Sequence, residues 1–329
     1  MSTAHTAAQT SAQHRVGSGF GARSTTDDVL RGIDLTGRLA LVTGGYSGLG
    51  LETTRSLASA GARVLVPARR VDVAREALKG IAGTEVDELD LGDLESVRGF
   101  AERFLASGRT LDIVVNSAGI AVCPETRVGP GWETQFATNH LGHYALVNRL
   151  WPAIERGGGR VVTVSSSGHR LSDIRWDDPH FTHGAYDKWE AYGQSKTANV
   201  LFTVHLDTLA RKAGVRAFSL HPGEILTELV RHLTREEMIE RGWIDADGTV
   251  SDSFRTPREG AATQVWAATS PQLDGLGGLY CEDCEIAGLA PAEDERGGVQ
   301  AYAIDPGSAA RLWTLSADLT GVNAFAGRR

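Results

Sequence analysis

The sequence predicts an α/β fold, a doubly wound parallel sheet with helices on both faces, folded as a single domain. Three observations predict it. Apolar runs of strand length alternate with segments of helical periodicity along most of the 329 residues. The runs are apolar throughout, as strands covered on both faces must be. A glycine-rich stretch, "TGGYSGLG", joins the first run to the first long helical segment, as the tight turn of a βα unit does.

The elements follow in order. Residues 1–22 are rich in Ala, Ser, Thr and Gly without periodicity, and predict a disordered N-terminal tail. Thr25 and Asp28 have capping-box spacing and open a short helix. "RLALVTG" is the first strand. Leu49, Thr53, Leu57 and Ala60 then lie on one helical face, with Gly61 as the stop. "RVLVPA" is the second strand, "LESVRGFAERFLAS" a helix and "LDIVVNS" a strand. A long helix is expected from Trp132 to Ile154, followed by the strand "RVVTVSS". Another helix is expected from Glu190 to Arg211, then the strand "VRAFSLH", the helix "PREGAATQVWAAT" and a short strand near "GGLYC". In the tail, Pro306 opens a helix whose stripe of Ala309, Leu312, Trp313 and Leu315 should dock on the body.

Composition narrows the function. A formal net charge of -8 argues against nucleic acid or an anionic membrane surface as partner. No apolar run approaches the ~20 residues of a bilayer span, and the N-terminus lacks the apolar segment of a secretory signal. Three cysteines, Cys123, Cys281 and Cys284, cannot build a disulfide framework, which predicts a cytoplasmic protein. "CEDC" at 281–284 lacks a second pair, so a four-sulfur zinc site is ruled out. The pairs His140/His143 and His180/His183 do not belong to HExxH; no metal is expected.

The glycine loop carries the first functional signal. Thr43, Gly44, Gly48 and Gly50 form TGxxxGxG rather than GxGxxG. A strand-to-helix turn of this kind lets backbone approach a pyrophosphate and offers it helix N–H groups. An ordinary glycine turn is the alternative, and its position after the first strand favours a dinucleotide. The second strand ends in Ala68, Arg69 and Arg70, where an acidic residue would favour NAD. A guanidinium there matches a 2′-phosphate, so NADP(H) is predicted, with NAD as the alternative cofactor and a merely solvated strand end as the competing reading.

Two tyrosines lie in "GAYDKWEAYGQSKTANVLF" (184–202). Tyr192 has Lys196 one helical turn on, and a cation there favours phenolate. Bringing a phenol from pKa ~10 toward ~7 takes about 4 kcal/mol. Tyr186 has Glu190 instead, which acts in the wrong direction. YxxxK gains weight from "NSAG" (Asn116–Gly119), Asn139 in "NHLGHY", "VTVSSSGH" with Ser166, "LDL" at Leu89–Leu91, and "HPGEILTEL" (His221–Leu229).

Across residues 36–230 these motifs, in this order, resemble the short-chain dehydrogenase/reductase family. The wording "STTDDVLRGIDLTGR", "TNHLGHYAL" and "YGQSKTANVLF" is most similar to its retinol-dehydrogenase and WW-domain-oxidoreductase branch, although no WW module is visible. Ser117 departs from the commoner NNAG. The resemblance implies a Rossmann-type domain over 23–290, with 291–329 as a helical extension packed on it. It implies that Tyr192 exchanges a proton with the substrate oxygen and that Ser166 hydrogen-bonds that oxygen. Ser165 and Ser167 are decoys that suit strand-end capping. Lys196 would hold ribose hydroxyls, and Asn139 would support a water relay. For the cofactor it implies Thr43, Gly44, Ser47, Gly48, Leu49, Gly50, Arg69, Asp90, Leu91, Asn116, Ala118, Gly119 and Lys196, with Pro222, Gly223, Ile225 and Thr227 toward the nicotinamide.

The segments Gly168–Ala191 and Leu229–Phe254 leave the carboxyl ends of strands and should build a partly apolar substrate pocket. Trp176 and Trp189 either wall that pocket or anchor a loop. The expected function is an NADP(H)-dependent oxidoreductase interconverting a carbonyl and an alcohol. A sugar-nucleotide epimerase or dehydratase and a catalytically silent nicotinamide-binding protein are the rivals. Homo-oligomer formation is compatible with the sequence, which marks no face for it.

Overall fold

The structure, a computed structural model, describes residues 13–290 and 297–327. Strands β1 (Leu39–Thr43), β2 (Arg63–Ala68), β3 (Thr84–Glu88), β4 (Ile113–Asn116), β7 (Arg160–Val164), β8 (Arg216–His221), β9 (Leu279–Glu282) and β10 (Glu285–Ile286) form one sheet, ordered β10-β9-β8-β7-β4-β1-β2-β3. Every pairing is parallel except β9 with β10. A separate two-stranded hairpin pairs β5 (Arg127–Val128) with β6 (Trp132–Glu133). The strand order reverses between β1 and β4, and a crevice opens there at the carboxyl ends.

Burial explains the apolar strands. Leu41 and Val114 face one core with Trp151 and Phe202, while Val42 and Val115 face the other with Trp266 and Phe218. A strand between two helical layers has no polar side to show. The edge strand β3, "TEVDE", escaped sequence reading because it is only half-buried and mostly polar. Its register is set by pairing with β2, a long-range property.

Two expectations are corrected. Residues 13–22 are not a loose tail. The buried Gln13 amide donates to the carbonyls of Tyr280 (2.5 Å) and Ala287 (2.7 Å), and the Glu285 carboxylate accepts the Val16 and Ser18 N–H groups. Capture by partners some 270 residues away leaves no mark on local composition. The rest of the tail expectation, residues 1–12, lies outside the described residues. Second, the long helix does not start at Trp132, which belongs to β6. Helix Thr134–Phe136 passes through a π turn at Ala137–Leu141 into helix Gly142–Gly157, and Asn139 sits on the π turn, a distortion that often marks function. The capping box at Thr25 and Asp28 opens the short helix expected there, a single turn at Thr26–Val29.

The final helix, Pro306–Thr320, starts at its proline with Asp305 as cap. Trp313 stacks on Phe202, centroids 5.8 Å apart, and meets Tyr144 edge-on at 4.9 Å. This helix therefore closes the layer formed by helices Lys188–Ala210 and Gly142–Gly157.

Candidate active site

The glycine turn is shaped by close approach. Gly44 has φ +66, and a Cβ there would lie 2.9 Å from Ala118 Cα; a Cβ on Gly50 would fall 2.3 Å from the Gly44 carbonyl oxygen. Neither contact is tolerable, so both positions need glycine. Gly48, φ +50, faces Thr227 with ordinary spacing. Ser47 flanks helix Gly48–Ser59 without a side-chain capping bond. Leu49 packs over Gly260 beside Ile225. The resulting cradle at a helix N-terminus fits a pyrophosphate.

Thr43 ties this turn to the neighbouring strand. Its Oγ accepts the N–H groups of Ser117 and Ala118, both at 3.0 Å, and lies 2.8 Å from His143 Nε2. His143 Nδ1 is 2.9 Å from the Asn139 carbonyl. That carbonyl can only accept, so Nδ1 carries the proton and Nε2 accepts from Thr43. His143, which belongs to no metal motif in the sequence, is a satisfied histidine that joins the glycine turn to the π turn.

Beyond the turn, Asp90 Oδ1 accepts the Gly92 N–H, and Leu91 packs against Gly142. The exposed Arg69 comes within 4.0 Å of Asp90. Asn116 donates to Thr163, fixing the end of β4 against β7. Gly119 has Asn139 Oδ1 and Lys196 Nζ as its near neighbours. Gly223, φ +97, is covered by Arg255, whose guanidinium also reaches the Pro222 carbonyl. Thr227 caps the short turn Glu228–Val230.

Ser166, Tyr192 and Lys196 converge. Helix Lys188–Ala210 is capped by Asp187, which accepts the N–H groups of Trp189 and Glu190, and it buries both Tyr192 and Lys196. The Ser166 side chain lies beside Tyr192 on the same cavity wall, both next to Gly168, and accepts the Gly168 N–H at 3.0 Å. Gly168 has no room for a side chain, because a Cβ would sit 2.7 Å from the Tyr192 ring. Ser165 donates to the Lys196 carbonyl, and the Ser167 N–H goes to His221 Nδ1.

Electrostatics correct the sequence argument. Lys196 Nζ lies 5.6 Å from the centre of the Tyr192 ring and donates to the Val164 carbonyl. Burial nevertheless dominates. It pushes Tyr192 up to about 12, opposed only by the neighbouring Ser166 side chain, and lowers Lys196 to about 8. The phenol is thus neutral in the protein by itself. Reaching neutrality from 12 would take roughly 7 kcal/mol, which one lysine does not supply.

Asn139 is built into a brace. Its Oδ1 accepts the Ile120 N–H, while Nδ2 donates to the Ile120 carbonyl and Ser195 Oγ, all at 2.9 Å. The amide is spent on holding the loop after "NSAG". Gln135 continues the brace by accepting the Val122 N–H at 2.7 Å. Val122 needs it, since φ +46 is a strained conformation for a β-branched residue. Tyr186 turns out to belong to this brace: its hydroxyl bonds Gln135 Nε2 and the buried Glu133, and burial, then the Glu133 charge, raise it well above the usual range against the opposing Gln135 bond.

A cavity of about 230 Å³ opens onto Ser166 and Tyr192, walled by Val122, Leu171, Trp189, Leu229, Trp243 and Phe254. Trp189 meets Trp243 edge-on, and Arg241 lies over the Trp189 ring. Trp176 is elsewhere, under Arg311 of the final helix; of the two tryptophans, one walls the cavity and the other anchors a loop. Cys281 and Cys284 are buried free thiols raised by desolvation, with Thr263 beside Cys284. Among the described residues, no three His, Cys, Asp or Glu side chains converge on a common point.

The sequence model for the short chain dehydrogenase family matches residues 38–238. The chain belongs to that family. It is 45% identical over 296 residues to a "probable oxidoreductase" of Streptomyces lividans, with 87% of this chain and 98% of the relative covered. It is 35% identical over 297 residues to retinol dehydrogenase 12 of Homo sapiens, 88% of each chain being covered. The resemblance to the retinol-dehydrogenase branch therefore holds. A crystal structure of an uncharacterized protein from Mycobacterium paratuberculosis superposes with a TM-score of 0.70 at 34% identity, covering 92% of this chain and 98% of that one. The chain is thus an oxidoreductase of a family that binds nicotinamide cofactors and acts on small molecules. Among the described residues, no helix is long and apolar enough to cross a membrane.

Proposed function

We propose that this oxidoreductase is NADP(H)-dependent and interconverts a ketone or aldehyde with its alcohol, with Tyr192 as acid and base. The observation that carries the reading is the placement of Ser166 and Tyr192 side by side on the floor of an aromatic cavity. When bound, the nicotinamide supplies or accepts the hydride. Thr43, Gly44, Gly48 and Gly50 would hold the pyrophosphate, and Asp90, Asn116 and Ala118 the adenosine side. Lys196 keeps donors for the ribose, since only one bond, to Val164, is spent. Ser166 accepts from Gly168 and so can turn its own O–H toward a substrate oxygen. Tyr192 then gives its proton to that oxygen. A neutral phenol is the form needed for reduction. Oxidation needs the phenolate, which burial opposes.

Arg69, exposed at the end of β2, supports NADP(H) over NAD(H). The ring wall of Trp189, Trp243 and Phe254 suits a partly apolar, flat substrate. Three buried free thiols are at home in a reducing compartment such as the cytoplasm. The test is purified protein with NADPH or NADH and a panel of aromatic and aliphatic carbonyls, followed at the nicotinamide absorbance band. Turnover should favour NADPH, and Arg69→Ser should narrow the gap. Equal kcat/KM with both cofactors would remove the NADP(H) assignment. Cofactor binding without turnover on any carbonyl would favour the catalytically silent reading.

A further inference from the structure

Behind Ser166, on the side away from the cavity, lies a buried polar cluster that the reaction as described does not use. His169 is completely buried. Its Nε2 accepts the Gln300 N–H at 3.1 Å, so in the neutral ring Nδ1 bears the proton and donates to the Ser166 carbonyl at 2.7 Å. Tyr280, also completely buried, adds its hydroxyl at 3.4 Å from the same carbonyl, its ring centre 5.0 Å from that of His169. The His169 carbonyl is held in turn by the hydroxyls of Tyr302 (2.7 Å) and Thr197 (2.9 Å), the latter next to Lys196. The neighbouring Arg170 reaches the Gly297 carbonyl at 2.8 Å, and the Gly298 N–H goes to Glu282.

From this geometry we infer that His169 is a positioning residue for Ser166, and that the segment 297–302 clamps it. The inference rests on the oxidoreductase reading above. Ser166 has an extended backbone, φ -173, and its hydroxyl must point at both Tyr192 and the substrate oxygen. Within its own turn the carbonyl on the other side of the residue takes only the His169 backbone N–H, at 3.1 Å. The His169 ring adds a second, shorter bond at 2.7 Å, through a donor whose tautomer is set by Gln300, more than 130 residues away. The C-terminal segment thereby has a part in the active-site geometry beyond covering the core. An imidazole in this position is a hydrogen-bond spacer of fixed length between Ser166 and Gln300.

The test uses the full chain, NADPH and the best carbonyl of the panel above. Three variants are compared: His169→Asn, whose amide can take the place of Nδ1; His169→Gln, whose amide reaches the Nε2 position instead; and Tyr302→Phe, which loosens the clamp. A misplaced hydroxyl costs kcat on the order of tenfold to a hundredfold. His169→Gln should lose that much in kcat while its NADPH dissociation constant changes less than about twofold. His169→Asn should recover most of the loss, and Tyr302→Phe should fall between it and the wild type. Equal kcat for the Asn and Gln variants, or parallel loss of kcat and NADPH binding in both, would overturn the inference and leave a purely structural histidine. Wild-type protein without turnover would instead remove the parent reading, and this inference with it.

Discussion

Acid should unfold this protein well above the carboxylate range, and the histidines say why. His140, His143, His169 and His221 are buried, and desolvation lowers them to about 3, 4, 4 and 3. Neighbouring cations add to the effect: Lys196 acts on His143, Arg170 on His169, and Arg255 on His221. In the unfolded chain each titrates near ~6.5. Below that value the unfolded state takes up protons that the folded state refuses, so stability falls as pH drops from ~6.5 toward the folded values. Between pH ~7.5 and ~5.5 each histidine removes about 1.4 kcal/mol, and the four together roughly 5 kcal/mol. That is comparable to the whole stability of many domains. Urea midpoints measured across this range should drop steeply. His180 and His205 are also lowered to about 4, so the slope should shrink by about a sixth in His140→Phe, which keeps the ring packing against Phe136 and Phe202 but cannot titrate. A midpoint that is flat to pH ~5.5, or a slope indifferent to His140→Phe, would refute the reasoning.

Two further substitutions separate binding from folding. Gly50→Ala drives a methyl into the Gly44 carbonyl, so NADPH affinity measured by fluorescence titration should fall at least about tenfold, while far-UV circular dichroism stays near wild type. Tyr186→Phe leaves the buried Glu133 without one of its donors and should cost about 1–3 kcal/mol in denaturant unfolding. Its kcat should remain within a few-fold of wild type, because the hydroxyl does not reach the cavity floor.

How much of this was legible in the sequence depends on how far away the partners are. Strands such as "RVLVPA" announced themselves because burial on two faces leaves an unbroken apolar run, and β2 matches that run to the residue. The glycine spacing and Tyr192-x-x-x-Lys196 were equally readable, as their chemistry is local. β3 was not, being half-polar and defined by its neighbour. The π turn at Asn139 was invisible because a one-residue widening leaves the helical stripe intact. The pairing of Tyr192 with Lys196 was read correctly as proximity and wrongly as the ruling influence: a sequence shows charge but not desolvation, and burial wins over the lysine. The same blindness hid His169, His143 and Gln13, whose partners are brought in by the fold from up to 274 residues away.

The most direct measurement is a pair of rates: NADPH-dependent carbonyl reduction by the wild-type enzyme and by Tyr192→Phe, each with its NADPH dissociation constant. Removing one hydroxyl from the cavity floor should eliminate turnover, lowering kcat by at least about a hundredfold, with cofactor affinity held within a few-fold. A Tyr192→Phe enzyme that keeps reducing the carbonyl at near wild-type kcat would contradict the account, whatever its fold.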